Sequence, residues 1–234
     1  MKATFTSRPS GPSRRNVLVS IGSLLTLTVA GCTTTSLPPR PRVEPERPAI
    51  PVIPAEVLLM YRALPDEEFP IPAVDLAKLA PRHYRQVVDY ATPEEVGTVI
   101  VDPANRYLYH VQADGKAMRY GVGVGKAGFE WSGRAHVAYG RKWPVWTPPR
   151  DMIERQPSVG RWRHGQPPGI DNPLGARALY IHQGNQDTLY RLHGTGEVRT
   201  IGKSVSSGCV RLLHQDIIDL YDRVRPGSAL VVLP

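Results

Sequence analysis

Most of what this sequence says about its fold and chemistry lies in His193-Gly194-Thr195-Gly196 and, after a short polar run, Ser206-Ser207-Gly208-Cys209-Val210-Arg211-Leu212. The second block holds a cysteine, Cys209, downstream of His193. Thiolate is the reactive form of cysteine, and a nearby imidazole can take the proton from the thiol. A tight Ser-Gly-Cys turn can also direct backbone N–H groups at a developing oxyanion. Because a lone cysteine is more often a small buried hydrophobe, these features alone leave a structural role open.

Strand-like segments surround that stretch. Short β-branched or aromatic runs, separated by Gly, Asn, Asp and Pro turns, extend from Gly97 onward and predict a mainly antiparallel β domain. A helix is predicted over Gln215–Val224, because its apolar residues share one face, and Cys209 is expected just before it. The predicted strands cover residues 97–101, 106–112, 118–124, 134–139, 179–182, 188–192 and 229–233.

The two blocks His193-Gly194-Thr195 and Ser206-x-Gly208-Cys209-Val210-Arg211 together resemble the signature of the L,D-transpeptidases, cysteine enzymes of bacterial peptidoglycan. The resemblance extends from about Gly97 to Pro234. It implies the fold class of that family, which is mainly β, with an antiparallel β-sandwich or barrel-like catalytic domain and a few short helices.

The resemblance also implies a role for each residue of the motif. Cys209 would attack the carbonyl carbon of an acyl donor, and His193 would activate the thiol and later protonate the leaving amine. The backbone carbonyl of Gly194 would hold the imidazole tautomer. The oxyanion would be bound at the turn that contains Ser207 and Gly208, with the backbone N–H groups of Gly208 and Cys209 as candidate donors. We expect the thiol pKa of Cys209 to lie below that of a free cysteine.

The motif departs from the family pattern at two positions. Most members have Ser-His-Gly-Cys where this chain has Ser206-Ser207-Gly208-Cys209, so the missing second histidine cannot be the essential base and that role falls on His193. An asparagine often precedes the last helix, where this chain has His214, which is a poorer N-cap.

Arg211 is a candidate for substrate binding. A fixed guanidinium could hold a carboxylate of the substrate. The alternative is a structural ion pair with Asp216 or Asp219, and the sequence favours neither interpretation.

Trp146 is a second candidate for substrate binding. It lies in a loop-rich region, roughly residues 143–175, and long loops inside a compact domain are usually functional or disordered. Similar segments of the family lie near the substrate groove. The alternative is that Trp143 and Trp146 are core residues.

A metal site is the main alternative chemistry. His182, His193, Cys209 and His214 are four possible zinc ligands. Their spacing fits no compact pair of the C-x₂-C type, and all four would have to converge from separate elements. We therefore expect no metal and no cofactor.

The family acts on the tetrapeptide stems of peptidoglycan, which it cleaves before the terminal D-Ala. The acceptor is the side-chain amine of a diamino acid on another stem, and the product is a 3→3 cross-link. Hydrolysis by water, exchange with a free D-amino acid and attachment of a protein to peptidoglycan are alternatives at the same thioester. A non-catalytic wall-binding lipoprotein is a further alternative, but the presence of both Cys209 and His193 argues against it.

The first 32 residues are predicted to be an export signal. Ser13-Arg14-Arg15-Asn16-Val17-Leu18 resembles a twin-arginine signal, although two arginines before an apolar run also fit an ordinary secretion signal. Val29-Ala30-Gly31-Cys32 resembles a bacterial lipobox, which implies acyl chains on Cys32 and a stable membrane anchor. A plain cleavable signal or an uncleaved anchor is the alternative. We expect an exported, periplasmic and lipid-anchored protein.

The chain is predicted to have four parts. Residues 1–32 are the export signal with the lipobox, and residues 33–56 are a proline-rich linker that could extend on the order of 70 Å. Residues 57–96 are a preface that packs on the domain, and residues 97–234 are the catalytic domain. The formal net charge of +8 could suit an anionic partner, but no nucleic-acid motif is present. We expect a monomer whose partners are peptidoglycan stems and the membrane.

Overall fold

The computed structural model of the protein describes residues 52–125, 132–206 and 208–234. The predicted export signal, Cys32, most of the predicted linker and Ser207 lie outside these residues. Within them, no helix is long and apolar enough to cross a membrane.

Strands dominate the described part of the chain. Three short α-helices accompany them: α1 (Ala55–Met60), α2 (Arg150–Arg155) and α3 (His214–Arg223). The strands are β1 (Gln86–Asp89), β2 (Val99–Asp102), β3 (Tyr107–Val111), β4 (Lys116–Gly121), β5 (Val124–Gly125), β6 (Gly133–Lys142), β7 (Arg177–Gln183), β8 (Gln186–Thr195), β9 (Ser204–Ser206), β10 (Val210–Leu213) and β11 (Ala229–Val232).

Nine of these strands form one large sheet in the order β1-β4-β3-β2-β11-β6-β7-β8-β10. Its neighbours are antiparallel except for two parallel pairs, β2 with β11 and β8 with β10. The strands β5 and β9 form a separate parallel pair. The mainly β fold class with few short helices is therefore confirmed, and the sheet is mixed because of the two parallel pairs.

The main core lies between this sheet and α3. Val99 and Val101 of β2 are completely buried, and so are Ile217 and Leu220 of α3. The two α3 residues lie three positions apart, and that spacing places them on one face of a helix. Burial of that face fixes α3 against β7 and β8, the strands next to the motif.

Residues from the predicted preface contact the β domain in a second apolar cluster. Tyr61 and Tyr84 pack there with Ile201 and Leu213. In addition, the carboxylate of Glu67 accepts two hydrogen bonds from the buried guanidinium of Arg177, at 2.7 and 3.0 Å. The domain boundary at residue 97 stays a prediction.

Two local predictions were wrong. Cys209 does not directly precede the last helix, because β10 pairs in parallel with β8 and occupies the intervening residues. The N-cap of α3 is Leu213, without a side-chain cap, and His214 is the first residue of the helix. His214 is instead buried beneath the motif, and its Nδ1 accepts a hydrogen bond from the Ala176 N–H at 3.4 Å.

Candidate active site

A cleft of about 560 Å³ opens beside the second block of the motif. Strand β8, the loop region before β7 and the turn before β10 contribute its walls. Its lining includes Trp146, Met152, Tyr180, Leu189, Arg191 and Cys209. Cys209 therefore lies in the wall of a space large enough for part of a peptide substrate.

The parallel pairing of β8 with β10 brings the two halves of the motif together. In that register His193 lies opposite Arg211. Arg211 follows Cys209 by two residues in the chain. His193 is buried, with 5% of its surface exposed. The register thus places the two blocks of the motif on neighbouring strands, although they are distant in sequence.

The imidazole of His193 is oriented by the next residue of its own strand. Its Nδ1 lies 3.0 Å from the backbone carbonyl oxygen of Gly194. A carbonyl oxygen can only accept, so Nδ1 must carry the proton. In the neutral ring Nε2 is then left with its lone pair, which is the state that a general base requires.

Burial sets the protonation of both groups. Burial lowers the pKa of His193 to about 4. The hydrogen bond to Gly194 raises this pKa by a smaller amount, and the positive charge of Arg211 lowers it further. Burial also raises the pKa of the Cys209 thiol, although the backbone N–H and the charge of Arg191 oppose it. The expectation of a thiol pKa below that of a free cysteine was therefore wrong. At neutral pH the site holds a neutral thiol and a neutral imidazole.

The contact between β8 and the thiol was not predicted from the sequence. The S–H of Cys209 donates to the carbonyl oxygen of Leu189 at 3.8 Å. Leu189 has a φ of +59°, a left-handed conformation that costs a non-glycine residue about 1–2 kcal/mol. The one available signal was Asp187, since an aspartate can accept a hydrogen bond from the N–H two residues later and so stabilise such a turn.

Gly208 and Trp146 both line the cleft. Gly208 has a φ of +122°, which favours glycine at this position of the turn. Trp143, in contrast, is buried and donates its Nε1–H to Glu67 at 3.0 Å. Trp143 is thus a core residue, whereas Trp146 lines the cleft.

Arg211 is not among the described residues that line the cleft. It pairs with Glu197 at 3.1 Å, so the predicted alternative of a pair with Asp216 or Asp219 was wrong. Both of those carboxylates lie near Arg85 instead, at 3.8 and 3.4 Å. The charge of Arg211 nevertheless acts on the site, because it lowers the pKa of His193.

The four residues considered for zinc do not form a site among the described residues, where no group of three or more His, Cys, Asp or Glu side chains could hold a metal ion. His182 lies on β7 against His136, with ring centroids 6.3 Å apart. His214 lies below the motif with its pKa lowered to about 4 by burial.

Comparison with known proteins agrees with this geometry. A family model described as YkuD, the L,D-transpeptidase catalytic domain, matches residues 97–233. In Escherichia coli K12, the probable L,D-transpeptidases ErfK/SrfK and YbiS are each 33% identical, over 142 and 137 residues. These alignments cover 58% and 56% of this chain but only 43% and 42% of the relatives, so the chain spans less than half of their length.

One solved structure shares more of its sequence with this chain. It is the crystal structure of a Brucella melitensis protein described as a probable carnitine operon oxidoreductase, with 45% identity, 68% of this chain and 99% of that chain covered, and a TM-score of 0.47. Since the YkuD family model covers more than half of the sequence, the chain belongs to the family of L,D-transpeptidase catalytic domains.

Proposed function

We propose that this protein is an L,D-transpeptidase that acts on peptidoglycan tetrapeptide stems through a thioester on Cys209 and forms 3→3 cross-links. The observation that carries the proposal is the contact between Nδ1 of His193 and the Gly194 carbonyl, at 3.0 Å. This contact leaves Nε2 of the buried imidazole as the hydrogen-bond acceptor. His193 lies on β8, next to β10, which begins directly after Cys209. The position of Cys209 in the cleft wall supports the same assignment.

Acylation would proceed from the neutral pair. Nε2 of His193 takes the thiol proton while Sγ of Cys209 attacks the carbonyl carbon before the terminal D-Ala. The N–H groups of Gly208 and Cys209 are the proposed donors to the tetrahedral oxyanion. The imidazolium then gives its proton to the amine of D-Ala, which leaves, and the acyl group remains on sulfur. Because the pKa of His193 is about 4, its imidazolium is a stronger acid than that of an ordinary histidine and releases this proton more readily.

Deacylation would reverse these proton transfers. The side-chain amine of a second stem attacks the thioester carbon, His193 accepts a proton from that amine, and the departing sulfur of Cys209 recovers it. Water in place of the amine would give hydrolysis, and a free D-amino acid would give exchange. The acceptor that reaches the cleft therefore decides the product.

Mass spectrometry of the protein with disaccharide-tetrapeptide tests the proposal. The wild type should form an acyl-enzyme on Cys209 and then a cross-linked dimer, and Cys209→Ala should form neither. His193→Ala should acylate more slowly by on the order of 10²-fold. His182→Ala is the matched control and should acylate at the wild-type rate. Cross-linking by Cys209→Ala would refute the assignment, and a hydrolysed tripeptide as sole product would replace cross-linking by carboxypeptidase activity.

The proposed location rests on the sequence of residues 1–32. We propose that Cys32 is lipidated and that the anchor holds the protein at the membrane in the periplasm. Labelling with a radioactive fatty acid should mark the wild type, whereas Cys32→Ser should stay unlabelled. Equal labelling of the two, or none in either, would end the lipoprotein assignment.

A further inference from the structure

Two backbone groups of β8 contact the Cys209 thiol, and both belong to one short bulge, Asp187–Arg191. The S–H donates to the carbonyl oxygen of Leu189 at 3.8 Å, and the backbone N–H of Arg191 hydrogen-bonds to the sulfur. A register shift in the pairing of β7 with β8 marks the same place. Whatever fixes this bulge therefore fixes the surroundings of the thiol.

The carboxylate of Asp187 joins both of these residues. Its Oδ1 accepts from the Leu189 N–H at 2.9 Å. Its two oxygens also accept from Nη1 and Nη2 of Arg191, at 2.7 Å each. These hydrogen bonds from Arg191 hold the pKa of Asp187 below its ordinary value. The carboxylate is therefore ionised, and an acceptor, throughout the neutral range.

Hydrogen bonds rather than packing keep Leu189 in its left-handed conformation. The residue is 63% exposed, so apolar contacts hold it only weakly. An aspartate that accepts from the N–H two residues later stabilises this kind of turn. Thr188 adds a second such contact, since its Oγ1 accepts from the Tyr190 N–H at 3.1 Å and donates to the Ile181 carbonyl at 2.6 Å.

Arg191 is fixed from three sides. Besides the pair with Asp187, its Nη1 donates to the carbonyl oxygen of Tyr190 at 2.9 Å, and its guanidinium lies 4.3 Å from the ring centroid of Tyr180. The side chain of Arg191 thus holds β8 in place around Arg191, whose backbone N–H contacts Cys209. We call this set of contacts the Arg191 clamp. Loss of Asp187 would release this clamp and the Leu189 turn together.

We propose that Asp187 is a positioning residue for the Cys209 nucleophile, which it serves by holding the Leu189 carbonyl and the Arg191 N–H against the sulfur. It acts through the backbone of β8 and is not itself a catalytic residue. The proposal rests on the proposed function only in taking Cys209 to be the nucleophile.

Alkylation of Cys209 by iodoacetamide, in the full chain and without peptidoglycan, tests the proposal. The modified Cys209 peptide is quantified by mass, so Cys32 does not interfere. Asp187→Ala should react roughly tenfold more slowly at neutral pH, with the midpoint of its pH dependence shifted upward, because the sulfur loses the Arg191 N–H. Asp187→Asn keeps an oxygen for the Leu189 N–H and should stay within about threefold of the wild type. Adding Leu189→Gly to Asp187→Ala should restore most of the rate, since glycine adopts the left-handed conformation without cost.

The matched control is Asp75→Ala. Asp75 also accepts from an N–H two residues later, that of Ala77 at 3.2 Å, and pairs with a cation, Lys78 at 2.6 Å, but it does not line the cleft. Its loss should leave Cys209 alkylation unchanged. If Asp187→Ala is too unstable, Asp187→Glu replaces it. Glutamate keeps the negative charge, but its longer side chain moves the carboxylate away from the Leu189 N–H. Cys209 of Asp187→Glu should therefore be alkylated more slowly than that of the wild type.

A wild-type alkylation rate and midpoint in Asp187→Ala, or in Asp187→Glu where that variant replaces it, would overturn the proposal. So would an equal loss in Asp75→Ala, or a double variant without recovery. These outcomes are independent of the proposed function, since a protein without transpeptidase activity can still show the alkylation pattern. Conversely, if the protein is an active transpeptidase but its Cys209 alkylation rate does not depend on Asp187, this proposal is wrong and the proposed function stands.

Discussion

The backbone carbonyl of Gly194 lies directly against Gly175, where a Cβ atom would stand 2.7 Å from the carbonyl oxygen. The same oxygen is the partner of Nδ1 of His193. A Cβ at Gly175 would also lie 2.5 Å from Cε1 of His214, whose ring is itself buried. Space at one glycine thus permits the contact that orients the proposed base.

Gly175→Ala should therefore reduce the rate of acylation as well as the stability of the domain. Its φ of +61° disfavours alanine, and the methyl group would push the Gly194 carbonyl away from His193. We expect a loss of roughly tenfold or more in kcat/KM for the tetrapeptide. Gly184→Ala is the control, because Gly184 has a φ of +57° but nothing within 4 Å of its Cβ position. Similar losses of activity in both variants would contradict the explanation.

The pH dependence of acylation should reflect a buried, neutral imidazole. His193 is an effective base only when it is unprotonated, and its pKa is lowered to about 4. The rate of acylation should therefore stay high through pH 6 and fall with a midpoint near pH 4, well below the ordinary histidine value. Arg211→Gln should move this midpoint upward, because the charge of Arg211 lowers the pKa of His193. A wild-type midpoint near pH 6.5 would contradict the assignment.

Stability should rise with pH in the range where the buried histidines lose their protons. The pKa of His214 falls from 6.5 to about 4 on folding, so between these values the unfolded chain binds the extra proton. Its contribution to stability is full above about pH 6.5 and is lost as the pH falls toward 4. His193 acts in the same direction, and Asp216, whose pKa is raised to about 7, acts in the opposite one.

His214→Asn isolates one of these contributions. An asparagine oxygen can still accept from the Ala176 N–H, but it does not titrate. The slope of unfolding free energy against pH, from urea denaturation at pH 5 and 6, should fall by about 1.4 kcal/mol per pH unit. An unchanged slope in His214→Asn would mean that this histidine is protonated in the folded protein.

Glu67 should stabilise the β domain from the predicted preface. Its carboxylate accepts from Arg177 and from Nε1 of Trp143, both buried. Glu67→Ala leaves the Arg177 guanidinium buried without its carboxylate, and should cost about 3 kcal/mol in the free energy of unfolding. Asp89→Ala breaks an exposed ion pair with Lys116 and should cost less than about 1 kcal/mol. Urea denaturation measures both, and equal costs would contradict the role given to Glu67.

The sequence predicted those features that depend on residue type and local spacing. Short β-branched or aromatic runs between turn residues predicted seven of the nine strands of the large sheet, all except β1 and β10. Helix α3 begins only one residue before its predicted start. Strand β10 was missed because its four residues make a strand only through pairing with β8. The short run Val210–Leu213 has no periodicity of its own that separates a strand from the start of a helix.

Within the candidate site, the features that the sequence did not predict also depend on contacts between distant parts of the chain. Cys209 and His193 could be proposed from the sequence because their flanking residues are distinctive. The partner of Arg211 was not, because Glu197 reaches it only after the chain has folded. Leu189 is a harder case, since leucine seldom adopts a positive φ and only its neighbours' hydrogen bonds hold it there.

Strand β11, the last in chain order, lies at the middle of the nine-stranded sheet, between β2 and β6. Without it the sheet would separate into two four-stranded halves, and the proposed dyad would belong to only one of them. Contacts between such distant parts of a chain form late and slow folding. A nascent chain should therefore stay unable to fold until Ala229–Val232 has been made. Pulse-proteolysis of a chain cut before residue 229 should find no protected core.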